Sequence, residues 1–313
     1  MSTLAGFTTA DLNVPWRGAH FPCRLVTPHA PYRAAPLLIL GGGFQDRYSW
    51  GRLERRLGHL HPMIIPDLPP AHPPVGPHLT WADLTEAAIA AADHARFDVF
   101  AALGGSSGYP IAYRLAQQHP GRITHVLLFG ASPRPSPALT ALITRSMRRP
   151  GSHTRTGLPD AAVGPQPRVT GPRQRAGHHE DAANSLVDIL TNARAGRDIL
   201  PIRAAARLLR NQLAAAAEDP LARYVADRGR LLLDAPLPDG RITGIPCLVG
   251  VGEHDTVTTI DDNRAVAATI DNAVFTIVAD ADHLLYLEQD AEFAGIVTRF
   301  LTPTPCPRTA AAQ

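Results

Sequence analysis

The sequence predicts an α/β fold: a mostly parallel central sheet flanked by helices, with a helical cap inserted into it. Three observations predict it. Short, unbroken apolar runs such as Leu37-Leu38-Ile39-Leu40 read as strands buried on both faces. These runs alternate with amphipathic segments of helical period, the pattern of a parallel sheet with helices on both sides. The alternation then stops between 132 and 243 and resumes at Ile245, which marks the intervening stretch as an insertion.

Taken in order, His20–Thr27 and Pro36–Leu40 are the first two expected strands, the second ending in Gly41-Gly42-Gly43-Phe44-Gln45. Trp50, Leu53, Leu57 and Leu60 fall on one face of a helix, and Pro62–Asp67 is a short strand before a proline-dense loop over 69–77. Thr80 and Asp83 have capping-box spacing and open an alanine-rich helix to about Ala95. Val99–Ala102 leads through Leu103-Gly104-Gly105-Ser106-Ser107-Gly108 into the helix Tyr109–Ala116, where Pro110 sits harmlessly in the first turn. The strand Ile123–Phe129 follows.

Within the insertion, 148–180 is rich in arginine, histidine, proline and glycine and is expected to be mobile or disordered. Leu186, Ile189, Leu190, Ile202, Leu208, Leu209 and Leu213 recur at helical spacing and predict two or three helices. Strand Ile245–Val251, helix Asp261–Ile270, strand Val274–Val278 and helix Ala291–Leu301 complete the pattern. The expected domains are a core of 1–131 and 244–302, a cap over 132–243 and a frayed tail over 303–313.

Composition narrows the function classes. All 30 basic residues are arginine, but 28 acidic residues leave a net charge of +2, so the arginines are no nucleic-acid signal. Cys23, Cys247 and Cys306 are widely spaced and odd in number, which predicts free thiols; no Cys/His cluster has metal-ligand spacing. The start MSTLAGFTTADLN lacks a basic, apolar leader, and no apolar run has membrane-spanning length, so a cytoplasmic protein without membrane contact is expected.

The chemistry centres on Gly104-x-Ser106-x-Gly108, a strand-to-helix turn that exposes one hydroxyl. A serine among glycines is in many chains only a loop; the strand before it and helix after it favour a nucleophile. Ser107 lacks flanking glycines two positions away on both sides and is better used through its backbone N–H. Serine needs a base, and the base a carboxylate. Of 14 histidines, His283 follows the last strand and so lies at the carboxyl edge of the sheet, where reactive groups gather. Asp255 follows the strand before it and is preferred to Glu253 as the acid, while Asp280 and Asp282 read as solvated turn residues. The chain order Ser106, Asp255, His283 is that of a nucleophile-elbow triad.

With these pieces in place, the chain resembles the α/β-hydrolase superfamily, in its esterase, thioesterase and C–C hydrolase branch. Residues 35–130 and 244–301 carry the resemblance, through Gly42-Gly43-Phe44-Gln45 with Tyr48-Ser49-Trp50, the elbow, Gly252-Glu253-His254-Asp255, and His283 with Glu288. It implies an oxyanion hole formed by the N–H groups of Phe44 and Ser107, and no metal or organic cofactor. The similarity extends to bacterial natural-product pathway hydrolases, which implies a small-molecule acyl substrate, with a thioester on an acyl carrier protein among the candidates and the basic 148–180 stretch as its contact. Acyl transfer, cyclisation or C–C cleavage on the same triad, and a ligand-binding receptor on the same fold, are the competing readings. Three departures stand out: Gly42 replaces the family's histidine, prolines replace the glycine-rich turn after Asp67, and Asp282 replaces the glycine before the catalytic histidine.

Overall fold

The computed structural model describes residues 6–32, 34–70, 79–147, 184–215, 221, 224–234 and 236–302. Among these, eight strands form one sheet: β1 (Phe7–Trp16), β2 (Ala19–Pro28), β3 (Leu37–Leu40), β4 (Met63–Pro66), β5 (Phe100–Gly105), β6 (Ile123–Phe129), β7 (Cys247–Gly252) and β8 (Val274–Val278). Their spatial order is β1-β2-β4-β3-β5-β6-β7-β8; β2 pairs antiparallel with both β1 and β4, and all other pairs are parallel. β1 has no counterpart among the expected strands. It is an edge strand with most positions exposed, so it lacks the apolar run that signals its central partners.

Every residue of β3, β4 and β5 is buried, yet the strand period still sorts them. Leu38, Leu40, Phe100 and Ala102 face one core with α2 (Trp81–His94) and α3 (Tyr109–Gln118), which supply Leu84, Ala88, Ile111 and Leu115. Leu37, Ile39, Ala101 and Leu103 face the other, with α1 (Gly51–Leu57) and the last helix, Asp290–Leu301, which supply Leu53, Leu57, Phe293 and Val297. Burying each leucine side chain contributes about 1.5–3 kcal/mol. The Thr80–Asp83 capping box is formed as expected, and Thr259 with Asp262 makes a second one.

Between β6 and β7 the described chain is helical over Pro137–Met147, 184–190, Ala195–Asp198, Leu200–Ala214 and Arg230–Asp234, with one π-helical turn at Val225–Gly229. Leu186, Leu190, Ile202, Leu209 and Leu213 are buried there, whereas Leu208 is 47% exposed and belongs to the outer face of its helix. The expectations of disorder over 148–180 and fraying over 303–313 concern residues outside those described, as do most of the proline loop and Cys306. Cys23 and Cys247 are free, buried thiols. Among the described residues no helix is long and apolar enough to cross a membrane.

Candidate active site

β5 ends at Gly105 in extended conformation, Ser106 turns to φ 48°, and a single 3-10 turn, Ser106–Gly108, feeds directly into α3. The positive φ at a residue with a Cβ costs on the order of 1–3 kcal/mol and is held by its surroundings. The flanking glycines make the turn possible by close approach. A Cβ on Gly104 would lie 2.7 Å from the Tyr109 Cα, and one on Gly108 would lie 2.1 Å from the Leu40 carbonyl oxygen. Ser106 is left half-buried at the carboxyl end of the central strand.

The loops after β7 and β8 bring two further side chains to it. His283 Nε2 lies 3.0 Å from Ser106 Oγ, and His283 Nδ1 lies 2.9 Å from Asp255 Oδ2. Asp255 and His283 are both buried. Asp255 also accepts the N–H groups of Val257 (2.8 Å) and Thr258 (2.9 Å) and the Thr258 hydroxyl (2.7 Å). This loop is pinned by Asn263, whose side chain accepts the Ala131 N–H and donates to the carbonyls of Thr258 and Thr259. A wholly buried asparagine thus locks the end of β6 to the Asp255 loop. Burial acts to lower the His283 pKa, but the charge and hydrogen bond of Asp255, with the charges of Asp282 and Glu288, outweigh it and leave the imidazole above its ordinary value.

Asp282 is a correction. Read from sequence as a solvated turn residue, it is fully buried, and its carboxylate accepts the backbone N–H of Asn192 from the β6–β7 segment. The side chain of Asn192 donates to the His254 carbonyl at 3.0 Å, so one residue of that segment touches both loops. Glu288, five residues after His283, accepts the Asp282 N–H at 2.5 Å. Burial pushes Asp282 up to about 6 and Glu288 up to about 8; each keeps one carboxyl oxygen without a hydrogen-bond partner. Turn composition alone hid this, because the cover over the loop comes from a distant part of the chain. Asp280, by contrast, is exposed as expected, with φ 52°.

A mainly apolar pocket opens on Ser106 and His283, walled by Trp50, Phe129, Leu190, Leu209, Leu285 and Phe293. Phe44 lies in its wall, half-buried, on the loop after β3, and Ser107 is buried beside Ser106. Gln45 shapes this loop by accepting the Gly42 N–H through its side chain. Gly42 approaches the elbow so closely that a Cβ there would lie 3.0 Å from the Ser106 Cβ. Tyr224, which no sequence pattern marked, packs on Gly43 and Phe44.

One group of metal-ligand type exists among the described residues: Glu253, His254 and Asp280 place ligand atoms within 4.8 Å of one another. The fold, and no spacing in the sequence, unites them. Glu253 is already engaged, its carboxylate accepting the Asp280 N–H at 3.2 Å.

The sequence matches the model of the Alpha/beta hydrolase family over residues 37–296, a span that includes all three residues at the elbow site. The chain belongs to this family. Solved structures agree in fold. An enol-lactonase from Burkholderia xenovorans LB400 superimposes with a TM-score of 0.68 at 18% identity, covering 94% of this chain and 100% of that one. A thermophilic esterase from Thermogutta terrifontis gives 0.67 at 18%, again covering 94% and 100%. A meta-cleavage product hydrolase from Pseudomonas fluorescens IP01 gives 0.65 at 15%, covering 92% and 96%. No curated protein matches the sequence significantly. As a member of the alpha/beta hydrolase family, the chain carries Ser106 where that fold turns from its central strand into the following helix.

Proposed function

We propose that this alpha/beta hydrolase is a serine hydrolase that cleaves an ester or thioester of moderate size through an acyl-enzyme. The observation that carries the reading is the unbroken hydrogen-bond chain Asp255–His283–Ser106 at 2.9 and 3.0 Å, opening on an apolar pocket. His283 Nε2 takes the Ser106 proton as Oγ attacks the acyl carbonyl, and Asp255 stabilises the imidazolium through Nδ1. The N–H groups of Phe44 and Ser107 receive the oxyanion. His283 then protonates the departing alcohol or thiol, and water repeats the sequence on the acyl-enzyme, returning the proton and free Ser106. The described helices carrying Leu190 and Leu209 between β6 and β7 serve as a cap that shapes the acyl pocket, since both side chains belong to its wall.

A fluorophosphonate probe tests the reading. Wild type and Ser107→Ala are labelled, and Ser106→Ala is not; its hydrolysis of aryl esters falls by about 10⁴-fold or more. A folded wild type that resists labelling favours a ligand receptor on this fold. A carrier-bound thioester as the natural substrate predicts turnover above that of small aryl esters, with the preference shrinking as salt rises. Equal or better turnover of the free esters at every salt concentration removes the carrier.

A further inference from the structure

Tyr224 belongs to the segment between β6 and β7, more than a hundred residues from the elbow in sequence, yet it packs on Gly43 and Phe44 and lies beside the side chain of Ser107. Its ring occupies the space a side chain at position 43 would need: a Cβ on Gly43 would fall 1.9 Å from Tyr224 Cε2 and 2.3 Å from Cδ2. The same ring packs on Phe44, with centroids 4.7 Å apart and planes tilted by 41°. At its far end the hydroxyl lies beside the side chain of Ser107, which lowers the pKa that burial raises. Tyr224 is 6% exposed, and burial raises its pKa, so the hydroxyl stays protonated through the neutral range.

Tyr224 leads directly into a tethered turn. Val225–Gly229 is a π-helical turn, a rare local geometry that inserts an extra residue per turn and recurs at functional sites. Arg228, within that turn, donates to the carbonyls of Leu68 and Pro69 at 3.3–3.4 Å, fastening it to the loop after β4. The glycine pair that replaces the family's histidine-glycine thereby acquires a role. Gly43 leaves the face of the loop open, and an aromatic ring from the inserted segment supplies the packing there.

We infer that Tyr224 is the positioning residue of the oxyanion site, one side chain that holds the Gly43-Phe44 backbone and Ser107 in register with each other. The inference rests on the reading of Phe44 and Ser107 N–H groups as oxyanion donors. It links docking of the inserted segment to the chemical step: with the ring seated, both donors are fixed before substrate arrives, and with it absent, each must be ordered during reaction.

The rate of covalent labelling by a fluorophosphonate, measured to saturation, is the test, with the melting temperature as a check on folding. Complete loss of one oxyanion donor costs about 10²–10³-fold, so loosening both is expected to lower the limiting labelling rate of Tyr224→Ala by about 10- to 100-fold, with little change in probe affinity. Tyr224→Phe keeps the ring on Gly43 and Phe44, loses only the hydroxyl beside Ser107, and recovers part of that loss. Gly43→Ala alone is slowed, because its methyl competes with the ring. Combined with Tyr224→Ala it is no slower than Tyr224→Ala by itself. A folded Tyr224→Ala with the wild-type limiting rate overturns the inference, as does a double variant whose loss is the product of the single losses. Should Tyr224→Ala fail to fold, Gly43→Ala carries the test: wild-type labelling in that variant refutes the clamp. If Ser106→Ala is still labelled, the serine reading falls and the inference with it. If Ser106→Ala is silent while the Tyr224 variants label normally, only the inference falls.

Discussion

The loops after β7 and β8 each bury an aspartate beside the same imidazole, and they treat it in opposite ways. Asp255 is met by four donors: two backbone N–H groups, a threonine hydroxyl and the His283 ring. Asp282 is met by backbone N–H donors alone, that of Asn192 foremost, and one of its oxygens is left bare. Equal burial therefore gives two different groups. A buried carboxylate surrounded by donors is poised to stabilise a neighbouring cation, whereas a poorly solvated one is expensive to ionise and acts mainly as a tether.

The sharpest way to break that contrast is to neutralise each aspartate in turn. Asp255→Asn is expected to lower kcat for an aryl ester by about 10⁴-fold, because the histidine loses the group that sets its tautomer and stabilises its charged form. Asp282→Asn, which keeps an acceptor for the Asn192 N–H, is expected to cost less than about tenfold. Comparable losses in the two variants, from steady-state rates on folded protein, end the distinction.

A smaller effect lies in the pH profile. His283 must be neutral to accept the serine proton, and its pKa is raised, so the acidic limb of kcat/KM sits above the ordinary histidine value of about 6.5. Asp282 contributes to that elevation when charged. Asp282→Asn therefore moves the limb toward lower pH, and an unmoved limb means its charge is not felt by the imidazole.

The gentlest test concerns Glu288 and stability. Its folded-state pKa of about 8 lies above the ordinary 4.5, so its contribution is full below about pH 4.5 and is lost as pH rises through about 8. Glu288→Gln, which still accepts the Asp282 N–H, is expected to flatten the decline of the melting temperature across this window by a few degrees. Parallel wild-type and variant curves contradict the assignment.

Different parts of the protein were unequally legible in the sequence. Buried central strands announce themselves, because a residue covered on both faces must be apolar wherever it lies; β1, paired on one side and exposed at most positions, does not. The elbow was legible because its demands are local. Gly104 and Gly108 are needed within a few residues of Ser106, where any side chain would strike Tyr109 or Leu40. Asp255 and His283 were placed at the carboxyl edge from their positions after β7 and β8, and the fold brings both side chains into line with Ser106. Asp282 was misread because its cover, Asn192, lies 90 positions away. Tyr224 escaped notice for the same reason, since nothing near it in the chain hints at the loop it packs on.

Local sequence thus determined where the central strands and their flanking helices run, and which serine, histidine and aspartate lie at the carboxyl edge of the sheet, because backbone period and turn sterics act over a few residues. Tertiary structure alone decided which buried carboxylate is ringed by donors, which tyrosine rests on the loop after β3 and how the β6–β7 segment grips the site. Those properties depend on the distances between groups that only the folded chain brings together, and both hydrogen bonding and desolvation are set by such distances.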